Sequence, residues 1–176
     1  MKYLLLALAI LAAFALAGVI FYLLVKRYFD NQQKERLLQM KIDERRETLK
    51  VVTPIRLQAY ERMALFLERI SPDSLVLRCY QPGMDLKLLQ GVMTKNIRDE
   101  WEHNLSQQIY LDPTTWARIR EAKDEMVNLV NSSAVTLTDT DDPTRLAATI
   151  FASAAKHLPT DKALEELHKE INELFG

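Results

Sequence analysis

Two pairs of side chains have the spacing of metal ligands. Glu100 precedes His103 by three residues, and Glu165 precedes His168 by the same step. In four-helix di-iron proteins, a Glu-x-x-His step on each of two helices directs both side chains at the metal, and two further helices each add a glutamate. A site of this kind therefore requires carboxylates that point inward from four helices.

Helical projection of the predicted helices argues against such a site. Glu61 and Glu68 lie outside the centre of the apolar arc of their helix, and Glu121 and Glu125 lie opposite the apolar stripe of theirs. Glu165 lies about 140° from the centre of its stripe, at ~100° per residue. We interpret the two pairs as a coincidence of spacing, and we predict no metal, no cofactor and no catalytic residue.

The remaining chemistry-bearing residues also lack a recognisable setting. Cys79 is the only cysteine, and nothing in the surrounding sequence marks it as a nucleophile. The acidic segment DTDDP, residues 139–143, lacks the central glycine and final glutamate of a calcium loop. Only four glycines occur in the chain, and none forms a phosphate-binding loop. The sequence therefore favours a protein that is not an enzyme.

One helix face changes character along its length. An apolar series, Leu86, Leu89, Met93 and Ile97, is continued on the same face by Glu100, Asn104, Gln107 and Gln108, with His103 at its edge. Two interpretations remain open. Either the apolar stripe drifts through Trp101, Leu105 and Ile109 and leaves the polar set in solvent, or Glu100, His103, Asn104, Gln107 and Gln108 line a polar recess that binds a partner or a small ligand.

Prolines preceded by capping residues divide the body of the chain into helices. Thr53-Pro54, Asp112-Pro113 and Asp142-Pro143 each place a helix-capping side chain before a proline at the first helical position. The predicted helices cover residues 54–70, 85–109, 113–133, 143–158 and 161–175, and short extended segments are predicted at 75–80 and 135–138. With Phe66 and Trp116 in one helical core, the fold class is all-α, a compact bundle of about five helices.

The N-terminal segment is predicted to be a membrane anchor. Residues 4–25 contain no charge, and about 33 Å of helix would cross a ~30 Å hydrocarbon core. The apolar run extends past the Ala15-Leu16-Ala17 cleavage-like site and ends at Lys26-Arg27, which favours an uncleaved signal-anchor over a signal peptide. The excess of basic residues after the span predicts a single-pass inner-membrane protein with its N-terminus outside and its C-terminal domain cytoplasmic.

The predicted domains are therefore a transmembrane anchor at 1–27, a charged juxtamembrane helix at 28–52 and a cytoplasmic helical domain at 53–176. Residues 26–50 carry eight Lys or Arg and five Asp or Glu, which suits anionic lipid headgroups. Residues 51–176 are acidic, which argues against nucleic acid as a partner. Leu38, Ile42, Arg45, Leu49 and Val52 follow coiled-coil spacing, but two heptads are fewer than a coiled-coil assignment requires.

Four segments, in this order, carry a resemblance to a known family. They are TPIRLQAYERMALFLERISPDSL, QPGM, NIRDEWEHNLSQQIYLDPTTW and AKDEMVNLVN. Over residues 1–134 the chain resembles an uncharacterised family of small bacterial proteins with one N-terminal span and a helical cytoplasmic domain. The resemblance implies topology and helical content, and it implies no activity.

The function that we predict is a non-enzymatic one, a membrane-anchored helical domain that binds another protein or acts as a scaffold. The first alternative is a small-ligand-binding protein or enzyme that uses the recess at Glu100–Gln108. The second is a structural envelope component that forms a homo-oligomer through the apolar helix, where Ala9, Ala13 and Ala17 form a ridge of small residues. The predicted partners are the lipid bilayer and an unidentified protein.

Overall fold

The structure is a computed structural model that describes residues 1–138 and 142–175, without the side chains of residues 4–10, 12, 13 and 175. All regular secondary structure in these residues is helical. The α-helices are α1 (Lys2–Ile70), α2 (Pro72–Cys79), α3 (Leu86–Asn104), α4 (Pro113–Val135), α5 (Pro143–Ala154) and α6 (Pro159–Phe175), with a 3₁₀ segment at Leu105–Ile109. The chain divides into two compact units, Met1–Val52 and Thr53–Gly176. The predicted all-α content is confirmed.

The structure contradicts the predicted membrane anchor. Within the residues that it describes, no helix is long and apolar enough to cross a membrane. The predicted transmembrane helix, the signal-anchor and the single-pass inner-membrane location are corrected accordingly.

The helix boundaries around α1 and α2 also differ from prediction. Helix α1 continues through Pro54, which we had predicted to begin a new helix. The predicted extended segment at 75–80 belongs instead to α2, and the segment at 135–138 contains the end of α4 and the turn after it. Short apolar runs do not distinguish a strand from a buried helix. Pro72 at the first helical position favours the helix, and Leu75, Val76 and Cys79 then lie on its buried face.

The predicted helix starts are confirmed where an aspartate precedes a proline. Asp112 accepts a hydrogen bond from the backbone N of Thr114 at 2.8 Å, and Asp142 accepts one from the backbone N of Thr144 at 2.8 Å. The latter bond lowers the pKa of Asp142, because it stabilises the carboxylate. The other residues of the acidic segment, 139–141, lie outside the described residues. Between α2 and α3, Gly83 has a φ of +88°, which suits the second central position of a type II turn with Pro82 before it.

The core of the second unit is built around the C-terminal half of α1. Its largest fully buried side chains come from five helices, namely Tyr60, Met63, Phe66, Leu67, Ile70, Leu75, Leu89, Met93, Ile97, Ile119, Met126 and Leu146. Phe66 packs against Trp101 with ring centroids 5.7 Å apart, and Trp101 stacks on Trp116 at 4.6 Å. Phe66 is therefore in the core as predicted, whereas Trp116 is only partly buried at its edge.

Candidate functional site

A surface recess lies between α1 and α3 in the second unit, with a volume of about 430 Å³. Helix α1 contributes Arg62, Leu65, Phe66 and Arg69, and helix α3 contributes Asn96, Asp99, Glu100, His103 and Asn104. The apolar lining comes only from α1, and α3 contributes only polar and charged side chains. Three of the five predicted site residues, Glu100, His103 and Asn104, therefore lie together here.

Glu100 is held by two arginines from other helices. Its Oε1 accepts a hydrogen bond from Arg69 Nε at 2.8 Å and another from Arg78 Nη1 at 3.3 Å. Arg78 also donates through Nη2 to the backbone oxygen of Arg69 at 2.8 Å, which ties the Arg78 guanidinium to the end of α1. The Glu100 side chain is 20% exposed, so its charge is partly removed from water and needs these partners.

The other polar residues of α3 bond mainly to their own helix. His103 Nδ1 lies 2.6 Å from the backbone oxygen of Asp99, and since a carbonyl only accepts, Nδ1 carries the proton. In the neutral imidazole, Nε2 is then the acceptor. Asn104 donates to the backbone oxygen of Glu100 at 2.8 Å, and Asp99 pairs with Lys95. These groups are fixed in place, which leaves little freedom in this wall of the recess.

Arg62 and the side-chain oxygen of Asn96 have no partner in the described part of the chain. Arg62 is exposed and makes no hydrogen bond or ion pair with any residue there. Asn96 Oδ1 is buried and accepts no hydrogen bond from those residues. A positive charge and a buried acceptor thus lie beside Leu65, which is 57% exposed. The recess therefore offers an anion-binding group next to an apolar surface.

Gln107 and Gln108, the other two predicted site residues, do not line the recess. Helix α3 ends at Asn104, and the chain continues as a 3₁₀ segment, so a projection at ~100° per residue no longer applies. Gln107 is buried and donates to Ser106 Oγ at 3.2 Å, whereas Gln108 is exposed. The drifting apolar stripe also stops early, because Trp101 is partly buried against the core but Ile109 is 72% exposed.

A second charged cluster, which the sequence did not predict, is centred on Glu170 of α6. Its Oε1 accepts hydrogen bonds from Tyr60 Oη at 2.7 Å, from the backbone N of Asp112 at 2.9 Å and from Arg56 Nη2 at 3.2 Å. Glu170 is only 8% exposed, and its Oε2 is buried without a partner among the described residues. Arg56 also donates through Nε to the backbone oxygen of Tyr110 at 3.1 Å. This cluster connects α1, the start of α4 and α6.

The environment of Tyr60 shows how strongly this cluster is buried. Burial, followed by the hydrogen bond to Glu170, raises the pKa of Tyr60 from 10.0 to about 12.

A signal for the cluster was present in the sequence, because Glu170 lies three residues after Leu167, only about 60° away around the helix. Helix α6 buries Ala163, Leu167 and Glu170. This buried face is rotated from the apolar stripe in the sequence, which consists of Leu164, Leu167, Ile171 and Leu174.

The described residues contain no group of three or more His, Cys, Asp or Glu side chains that could hold a metal ion. Glu165 and His168 are exposed, while Glu100 is engaged by Arg69 and Arg78. The Glu-x-x-His pairs thus contribute ion-pairing and surface residues. Burial raises the pKa of the Cys79 thiol, which disfavours the nucleophilic thiolate.

Comparison with known proteins provides a family and no activity. The model of a family of unknown function, DUF7935, matches residues 2–174. No curated protein and no solved structure matches the chain.

Proposed function

We propose, on the premise that this chain belongs to the DUF7935 family of unknown function, that it is a non-enzymatic binding protein whose recess between α1 and α3 receives a protein partner. The observation that carries the proposal is the exposed Arg62, unpaired among the described residues, beside the apolar surface of Leu65. Arginine is enriched in protein interfaces, whose fully buried centre is more apolar than the rest of the surface.

The charges of the recess define the partner side chain that it would accept. Glu100 is already neutralised by Arg69 and Arg78, and Asp99 by Lys95. Arg62 is therefore the charge that a partner can pair with, and a carboxylate is the matching group because arginine binds it through two parallel hydrogen bonds. We expect an acidic residue of the partner on Arg62 and an apolar residue against Leu65.

A small ligand is the second candidate occupant. The volume of about 430 Å³ lies within the ~300–1,000 Å³ range of small-molecule sites. The same groups would then select a small carboxylate with an apolar part. Both candidates rely on Arg62, so one capture experiment with an Arg62 variant tests both. The identity of the captured molecule then distinguishes a protein from a small ligand.

Affinity capture from a native lysate, with the full chain as bait, tests the proposal. The bait is used as wild type, as Arg62→Glu and as Arg120→Glu, in which an exposed arginine of α4 outside the recess is reversed as a control. A stoichiometric protein that Arg62→Glu loses and Arg120→Glu retains would support a protein partner. A metabolite with that dependence would favour the second candidate. Binding that Arg62→Glu leaves intact would contradict the recess as the site.

A further inference from the structure

The first unit exposes a narrow apolar series on α1, which we call the 38–52 stripe. It consists of Leu38, Ile42, Leu49 and Val52, which are 60%, 51%, 52% and 38% exposed. At ~100° per residue the four side chains lie within an arc of about 80°. That width is closer to a seam for one partner helix than to the broad apolar face of a helix that packs on a domain core.

The second unit uses the same spacing for its own core. Ala59, Met63, Phe66 and Ile70 follow one another at four, three and four residues, and each is at most 1% exposed. This spacing places side chains where neighbouring helices can cover them. The 38–52 stripe has the same arrangement, yet it is open to solvent, so it presents a surface for a helix from elsewhere.

The charges near the stripe have one predominant sign. Lys34 and Lys41 lie along one edge, Arg46 along the other, and Arg45 lies within the stripe. Most of the acidic residues of this segment, Asp43, Glu44 and Glu47, lie on the opposite side of the helix, where Glu47 pairs with Lys50 at 2.7 Å. Glu35 is the acidic residue near the stripe. The edges that would flank a partner helix are therefore basic.

This charge pattern disfavours a second copy of the chain as the occupant. In a parallel coiled-coil pair, a residue that flanks the apolar seam of one helix lies close to the residue five positions later on the other helix. Lys41 of one copy would therefore lie close to Arg46 of the other. An antiparallel pair would also bring basic edges against basic edges. Repulsion of this kind is a common means of excluding self-pairing.

We propose that the 38–52 stripe docks an amphipathic helix of another protein, one with an apolar seam and acidic flanking residues. Leu38, Ile42, Leu49 and Val52 pack against that seam, and Lys34, Lys41 and Arg46 pair with its carboxylates. The inference does not depend on the recess of the second unit, because it concerns a different segment and a different partner surface.

Two designed helical peptides test the inference against the full chain. Each carries leucine at the seam positions of four heptads, and the flanking positions are glutamate in one peptide and lysine in the other. Fluorescence anisotropy should show binding of the glutamate-flanked peptide and at least about tenfold weaker binding of the lysine-flanked one. Ile42→Asn should weaken binding at least about tenfold, because it places an amide in the seam. Met40→Asn, on the opposite side of the helix, should leave binding unchanged.

A charge-reversed variant makes the test independent of any loss of helix. Lys41→Glu combined with Arg46→Glu leaves the apolar residues in place, so it should reverse the preference and favour the lysine-flanked peptide. Equal binding of both peptides would overturn the proposal. Self-association by sedimentation that Ile42→Asn abolishes would overturn it in favour of a second copy. Binding to phosphatidylserine vesicles in place of the acidic peptide would overturn it in favour of a lipid surface.

Discussion

Replacing Glu170 with alanine is expected to destabilise the second unit more than any exposed carboxylate substitution. The change removes the acceptor for Tyr60 Oη, for the backbone N of Asp112 and for Arg56 Nη2. Tyr60 is 2% exposed, so water cannot readily replace the lost bond at its hydroxyl. Each group left without a partner then retains the cost of having been removed from water.

The magnitude follows from what each group retains. Removal of one partner of a buried ion pair costs about 3–5 kcal/mol. Arg56 keeps its bonds to the Tyr110 backbone oxygen and to Tyr60 Oη, and its side chain is 30% exposed, so water relieves part of that cost. We therefore expect Glu170→Ala to lower the free energy of unfolding by about 3 kcal/mol, the lower end of that range. Glu170→Gln keeps a carbonyl acceptor and should cost about 1–2 kcal/mol.

Urea unfolding followed by tryptophan fluorescence measures these changes, because Trp101 and Trp116 lie at the core. Glu165→Ala, an exposed carboxylate of the same helix, is the control and should stay within about 0.5 kcal/mol of wild type. Glu170→Gln should also lower the pKa of Tyr60 below about 12 while burial keeps it above 10.0. A cost below about 1 kcal/mol for Glu170→Ala would refute the reasoning.

Four further outcomes are expected. Phe66→Ala should lower the free energy of unfolding by about 3–5 kcal/mol, because its ring is 1% exposed, and a urea midpoint near that of wild type would contradict this. Glu100→Ala should cost about 1–2 kcal/mol, between the values for exposed and buried pairs, with the exposed Glu102→Ala as a near-neutral control. Because the pKa of Tyr60 is about 12 in the folded state against 10.0 as the ordinary value, the unfolded chain loses the phenol proton first. The stabilisation from Tyr60 should thus be fully present below pH 10 and be lost as the pH rises towards 12, a loss of up to about 3 kcal/mol that Tyr60→Phe removes. Elemental analysis of the purified chain should find no stoichiometric iron, manganese or zinc, and one equivalent of metal that His103→Ala loses would overturn that expectation.

The helices could be predicted where local chemistry specifies them. Asp112 and Asp142 satisfy backbone N–H groups at helix starts, and a following proline has a backbone angle suited to the first turn. The segment at 75–80 was mispredicted because its apolar residues fit a strand and a buried helix equally well. Pro72 favours the helix locally, and the contacts with the rest of the core that complete the choice come from residues distant in sequence.

The ion pairs could not be predicted for the same reason. Helical projection locates Glu100 relative to its own helix, and it correctly indicates that Arg98 is badly placed to pair with it. The actual partners, Arg69 and Arg78, come from α1 and α2. Arg56 and Glu170 are 114 residues apart, and no local pattern specifies their approach. The recess was predicted in part, through three of its residues, and the change to a 3₁₀ segment removed the other two.

Glu100 and Glu170 have the same role in the second unit, although the sequence indicated only Glu100 as a candidate site residue. Glu170 of α6 holds Arg56 of α1, and Glu100 of α3 holds Arg69 of α1. Arg56 and Arg69 are 13 residues apart on one helix, so each pair fixes a different helix against a different level of α1. Apolar packing between helices tolerates shifts along their axes better than hydrogen bonds of 2.7–3.3 Å do. The two pairs therefore determine the register of α3 and α6 on α1, and the register of α3 in turn sets the distance between Glu100 and the unpaired Arg62 across the recess.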